Sequence, residues 1–167
     1  MKTIVIGLGN PILGDDGVGW VAAEEVRRLL TSPPAPLLGG EGDNVDVDCL
    51  SLGGISLMEH LIGYDRAILI DAFVSNEPAG SIVVLKLDEL RDVSAFHLTS
   101  AHDMCLQNAM ELGRRMGAKL PEDVTVVGIS ARHIYDFSEE LSLPVMEAIP
   151  KATRIVVDLL IQKIIIP

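Results

Sequence analysis

Two aspartates and a histidine stand out by residue type and place. Asp16 lies in the glycine-rich stretch Gly7-Leu8-Gly9-Asn10-Pro11-Ile12-Leu13-Gly14-Asp15-Asp16-Gly17-Val18-Gly19; Asp71 follows the apolar run Ala67-Ile68-Leu69-Ile70; His102 follows Thr99-Ser100-Ala101. Two carboxylates and one imidazole make an incomplete oxygen–nitrogen shell, with room for water or a substrate atom. Such a donor set suits zinc, nickel, cobalt or manganese rather than a soft thiolate-bound metal. Each residue also has a plainer reading: Asp15 and Asp16 as acids at a helix N-terminus, Asp71 as a turn former, His102 as a structural or solvated side chain.

The glycine-rich stretch follows Thr3-Ile4-Val5-Ile6, which reads as a buried strand. After it, Val18, Val21, Ala22, Val26, Leu29 and Leu30 recur at helical spacing. A strand, a glycine turn and a helix start commonly bind an anion, because backbone N–H groups and the helix dipole favour negative charge there. Two aspartates in that position repel an anion and attract a cation. The third glycine of a G-x-G-x-x-G dinucleotide fingerprint is also missing, with Ile12 in its place.

These residues need a frame. Val45–Leu50 alternates apolar and polar, as expected of an edge strand, and leads through Ser51-Leu52-Gly53-Gly54 into a short helix around Ser56 to Ile62. Arg66–Asp71 reads as a strand covered on both faces, terminated by Asp71. The next strand, Ser81–Leu87, follows the short link Ala72–Gly80. A parallel crossover needs a dozen or more residues, so Ile82–Leu87 should run antiparallel to the rest. A helix is expected from near Ser100 to near Gly117, with Ser100 as N-cap, His102 at N2 and Asp103 at N3. There the dipole favours the neutral imidazole that binds metal. Val124–Ile129 is a further buried strand.

A last helix starts near Ser142 or Leu143, with Met146, Ile149, Thr153, Val156, Leu160 and Ile164 on one face and Pro150 as a kink. The expected fold is a three-layer α/β/α sandwich around a mixed, mostly parallel five-stranded sheet whose fourth strand is antiparallel, in a single domain over 1–167. In such sheets ligands gather outside the carboxyl ends of the parallel strands, where Asp16, Asp71 and His102 would meet.

Composition narrows the classes. With 167 residues and 49% hydrophobic content, the chain can bury a sizeable core. A net charge of −11 argues against nucleic-acid binding, which needs lysine and arginine. The two cysteines, Cys49 and Cys105, make neither a disulfide framework nor a C-x-x-C site. His102 and Cys105 would share a helix face, so a cysteine nucleophile with a histidine base is conceivable, although a small core cysteine is the commoner case. His60, His97 and His133 lack ligand-like partners nearby. Trp20 points away from the apolar stripe of its helix and marks either a partner surface or a loop packed over it. Thr31–Asn44, rich in Pro and Gly, reads as a loop. No signal peptide and no membrane-length apolar run is visible, so we expect a cytoplasmic monomer.

Gly-Leu-Gly-Asn-(x)3-Gly-Asp-Asp-Gly-Val-Gly resembles the N-terminal motif of the hydrogenase maturation endopeptidases, which trim the C-terminal tail of the large subunit of nickel–iron hydrogenases. The resemblance continues through Ser51-Leu52-Gly53-Gly54, Ile68-Leu69-Ile70-Asp71-Ala72, Thr99-Ser100-Ala101-His102, Val126-Val127-Gly128-Ile129 and Leu143-Pro144-Val145-Met146-Glu147-Ala148. It implies that Asp16, Asp71 and His102 engage nickel and serve catalysis, with the nickel carried by the precursor and zinc or cadmium able to stand in for it in vitro. It also implies a hydrogenase large-subunit precursor as partner, with Gly53 and Gly54 admitting its backbone. A non-catalytic nickel-binding chaperone would use the same trio and leave the precursor uncut. Gly7-Leu8-Gly9-Asn10-Pro11 also resembles the opening of peptidyl-tRNA hydrolases, but those need an early histidine and a basic RNA surface, and here the first histidine is His60.

Overall fold

Short β-branched and leucine-rich runs with apolar residues on both faces suit strands covered on both sides, and they build the centre of this molecule. A computed structural model describes residues 1–31, 44–90, 105–132 and 134–162. Its strands are β1 (Lys2–Leu8), β2 (Asn44–Leu50), β3 (Arg66–Phe73), β4 (Ile82–Lys86) and β5 (Asp123–Ser130). Its helices are α1 (Val18–Thr31), α2 (Gly54–His60), α3 (Leu106–Arg115) and α4 (Leu143–Gln162), with a 3-10 turn at Gly14–Gly17 leading into α1. The sheet order is β2-β1-β3-β5-β4; all pairs are parallel except β4 with β5. The expected architecture and its antiparallel fourth strand are therefore observed, and β2 is the half-exposed edge.

Strand alternation divides the core in two. Ile4, Ile6, Leu8, Leu69 and Phe73 pack with Leu57, Leu106 and Met110 on the α2/α3 face. Val5, Ile68, Ile70 and Ala72 pack with Ala22, Val26, Val145 and Val156 on the α1/α4 face. Helix α1 comes unusually close to β1. A methyl group at Gly7 would stand 2.2 Å from the Gly19 carbonyl oxygen, and one at Gly19 would stand 2.5 Å from that of Ile70. Val18, Ala22 and Val26 of the expected stripe are buried, Ala23 joins them, and Val21, expected inward, is exposed. On α4 the inward face is Val145, Ala148, Ile149, Ala152, Val156 and Leu160; Met146, expected inside, is exposed. Pro150 lies within α4 without ending it.

Two boundaries also differ from expectation. Asp71 does not end β3, because the strand continues through Ala72 and Phe73, and Asp71 pairs with Gly128 of β5. Helix α3 begins at Leu106 with Cys105 extended as its N-cap, so it does not start at Ser100. The i, i+3 relation between His102 and Cys105 on that helix lapses, since Cys105 precedes its first turn. His102, with His97, His133, Ile164 and most of the Pro/Gly loop, lies outside the described residues.

Candidate active site

The carboxyl end of the parallel strands is assembled from glycines and acids. At Gly9 the chain leaves β1 with φ near +122°, a conformation that L side chains rarely adopt. A methyl group there would fall 1.9 Å from the Asp16 carbonyl oxygen. The 3-10 turn is thus folded down onto the strand end, and only glycine permits it. The Asp16 side chain returns over the same turn: its Oδ2 accepts a hydrogen bond from the Asn10 backbone N–H at 2.6 Å. Asp16 is 2% exposed. An N–H donor orients a carboxylate.

Asp15, equally buried, faces another way. Its Oδ1 accepts from the Ser142 N–H at 2.6 Å and its Oδ2 from the Ser142 hydroxyl at 2.9 Å. Ser142 immediately precedes α4, so Asp15 ties the opening turn to the start of that helix. The two neighbouring acids divide the work: Asp15 fastens the turn, while Asp16 is held across the end of β1.

Asp71 is fully buried in β3, one residue beyond the last β1 pair, Gly7 with Ile70. By alternation it shares the α2/α3 face with Leu69 and Phe73. Its β5 partner is Gly128, which carries no side chain. Leu106, the first residue of α3, belongs to the same layer, and Cys105 just before it is the nearest described residue in sequence to His102. Asp16 and Asp71 are thus brought to the same edge of the sheet, and their oxygen donors suit a divalent cation. Among the described residues no three His, Cys, Asp or Glu side chains are placed to hold a metal ion.

The β2–α2 connection borders this edge. The Ser51 hydroxyl donates to the Gly9 carbonyl at 2.7 Å, and the Trp20 indole N–H donates to the Leu50 carbonyl at 3.3 Å. Trp20 therefore packs over the end of β2, which accounts for its position off the apolar stripe of α1. Gly53 is extended, and Gly54 opens α2 with φ near +53°. Cys49 is not a poised nucleophile. Burial, and then the adjacent Glu24 carboxylate, push the Cys49 thiol up to about 11, so it stays protonated at neutral pH. Exposed His60 contacts the Ser56 carbonyl of its own helix at 3.0 Å.

One further segment of this edge carried no expectation from sequence. The connection from β5 to α4 is strapped to the opening turn: the Gly14 N–H donates to the Ser138 carbonyl at 2.6 Å, and the Ser138 N–H to the Ile12 carbonyl at 3.1 Å. Its signal was in plain view as two aromatics among acids, Tyr135-Asp136-Phe137-Ser138-Glu139-Glu140.

The mixed five-stranded α/β fold is shared with the hydrogenase-maturating endopeptidases. The structure of HybD from Escherichia coli superposes with a TM-score of 0.75 at 23% identity, covering 98% of this chain and 94% of that one. The [NiFe] hydrogenase maturation protease HybD from Thermococcus kodakarensis gives 0.63 at 24% identity, covering 95% and 99%. In sequence, the hydrogenase expression/formation protein HupD of Rhizobium leguminosarum bv. viciae is 26% identical over 159 residues, 95% of this chain and 74% of the relative. The hydrogenase 2 maturation protease of Escherichia coli K12 is 25% identical over 129 residues, 77% of this chain and 73% of the relative. The HycI hydrogenase maturation protease family matches residues 42–159, and the chain belongs to that family. No described helix is long and apolar enough to cross a membrane.

Proposed function

We propose that this protein is an endopeptidase that removes the C-terminal extension of a nickel–iron hydrogenase large-subunit precursor after nickel insertion. The observation that carries the reading is the buried Asp16 carboxylate, oriented by the Asn10 N–H at the sheet's carboxyl edge, in a chain that belongs to a hydrogenase maturation protease family. The nickel is part of the substrate. Asp16, Asp71 and His102 engage it, so a precursor without nickel is not productively held. Recognition and licensing for cleavage are then the same event.

Peptide hydrolysis needs a water deprotonated as it attacks the scissile carbonyl carbon, and a proton delivered to the departing nitrogen. A carboxylate of this pair can accept the first proton and return it to the second site. The substrate's metal acts as a template that fixes the bond to be cut, and as a Lewis acid where it meets the carbonyl oxygen. Zinc or cadmium can occupy the same oxygen–nitrogen donor set in vitro. Gly53 and Gly54, held beside Gly9 through Ser51, let the substrate backbone approach without meeting a side chain.

Incubating the purified protein with nickel-loaded and nickel-free precursor, and weighing the products by mass spectrometry, tests the reading. The loaded precursor should lose a discrete C-terminal peptide and the free precursor should stay whole. A loaded precursor that binds and is never shortened would make the protein a chaperone instead.

A further inference from the structure

We propose that the strap between β5 and α4, residues 135–140, is a docking surface for an extended, apolar and basic segment of the precursor next to its cleavage point. The proposal rests on the function proposed above and names how the substrate is held outside the acidic pair. The chain has only six aromatic residues. Among the described residues, Phe137 (87% exposed) and Tyr135 (80% exposed) are the most exposed large hydrophobics. Burial of these two rings would be worth more than that of almost any other surface residue, yet both stand in water.

Their exposure is not that of a loosely attached loop. The strap is pinned by buried Ala131 and Ile134 in the α1/α4 core, by both Ser138 backbone groups on Ile12 and Gly14, and by Ser142 on Asp15. A segment anchored so often, with its aromatics turned outward, presents them rather than failing to bury them. Ile12, bonded to Ser138, adds a partly exposed aliphatic side chain to the same surface.

The surface continues directly into the candidate site. Ser138 is hydrogen-bonded to Gly14, two residues before Asp16. At 3.8 Å per Cα step, that path keeps Phe137 within about 17 Å of Asp16, a span that roughly five extended residues cover. A peptide seated on the aromatics is therefore within a few residues of the candidate site. Charge sets the partner's chemistry. Exposed Glu139 and Glu140 follow Phe137 in a chain of net charge −11, so a segment interleaving apolar with lysine or arginine side chains is favoured and an acidic one is repelled.

The test compares wild type with Tyr135→Ala/Phe137→Ala, Glu139→Lys/Glu140→Lys and, as a control at the far end of α3, Met116→Ala, which removes another exposed apolar side chain (79% exposed). Both the Kd for nickel-loaded precursor and the KM for its cleavage are measured, with the unfolding temperature of each variant. The two double variants should each raise Kd and KM about tenfold with an unfolding temperature equal to wild type, while the control changes neither. Unchanged Kd, a response in only one of the two double variants, or an equal response in the control overturns the proposal. If wild type binds but does not cut, the proposed function fails and the Kd comparison still decides the docking surface. If it neither binds nor cuts, both fail.

Discussion

The two ends of the sheet carry acids that are treated in opposite ways. At the amino end, acids meet cations. Asp123 at the start of β5 pairs with Arg66 at 3.2 Å and with Lys86, and Asp65 takes Lys119 at 2.8 Å and the Lys2 N–H at 2.7 Å. Tyr64 donates to Asp46 at 2.9 Å with Lys2 over its ring; burial, followed by that hydrogen bond, pushes its phenol up to about 12. At the carboxyl end, Asp15 and Asp16 are oriented by backbone N–H groups and a serine hydroxyl. A lysine or arginine beside a carboxylate offsets its charge, whereas an N–H donor directs the carboxylate and leaves the formal charge in place. The comparison separates acids paired with lysine and arginine from acids directed by backbone and hydroxyl donors.

Substitutions should respect that division. Asp16→Asn and Asp71→Asn keep size and hydrogen-bonding capacity, so each should cut precursor processing about a hundredfold or more with circular dichroism unchanged. His102→Ala should do the same, and normal processing by all three would break the assignment of the site. At the opposite end Asp123→Ala should act on stability and not on chemistry. It leaves the nearly buried Arg66 guanidinium without its carboxylate, for a loss of about 3 kcal/mol in denaturant unfolding.

Asp15→Ala should fall between the two kinds. It removes both bonds to Ser142 and should cost about 1–3 kcal/mol of stability, with a smaller fall in processing than Asp16→Asn. The smallest effect belongs to Asp65, whose carboxyl is held below its ordinary value chiefly by the Lys119 hydrogen bond. A depressed carboxyl pKa stabilises the fold at pH above the ordinary value near 3.8, and that stability is lost as pH falls through the lower folded value. Acid titrations of unfolding should show this slope in wild type, flattened in Asp65→Asn and weakened by salt.

Much of this was legible in the sequence because it follows from connection length and period. The link Ala72–Gly80 is too short for a crossover, and β4 is indeed antiparallel. The apolar run before Asp71 located the strand, but its end was misjudged: Ala72 and Phe73 continue the ladder, and a lone buried acid inside a strand has no periodic signature. Helix α3 begins where Leu106 enters the core, later than the expected start at Ser100, a residue outside the described ones. Val21 and Met146, read as inward from their helical spacing, are exposed. The close approach at Gly7 and Gly19 instead selects small residues such as Ala22 and Ala23, a preference set by the distance between elements and invisible to hydropathy. The family resemblance singles out Asp16 and not its neighbour Asp15, and the two side chains do have different partners, the Asn10 N–H and Ser142.

The central claim is that Asp16 serves a substrate-borne nickel ion. Its most direct test is the mass of the large-subunit precursor after incubation with wild type and with Asp16→Asn, each with and without nickel loaded. The account predicts one shortened product, formed only from nickel-loaded precursor and only by wild type. Equal shortening by Asp16→Asn, or shortening of the nickel-free precursor, would contradict it.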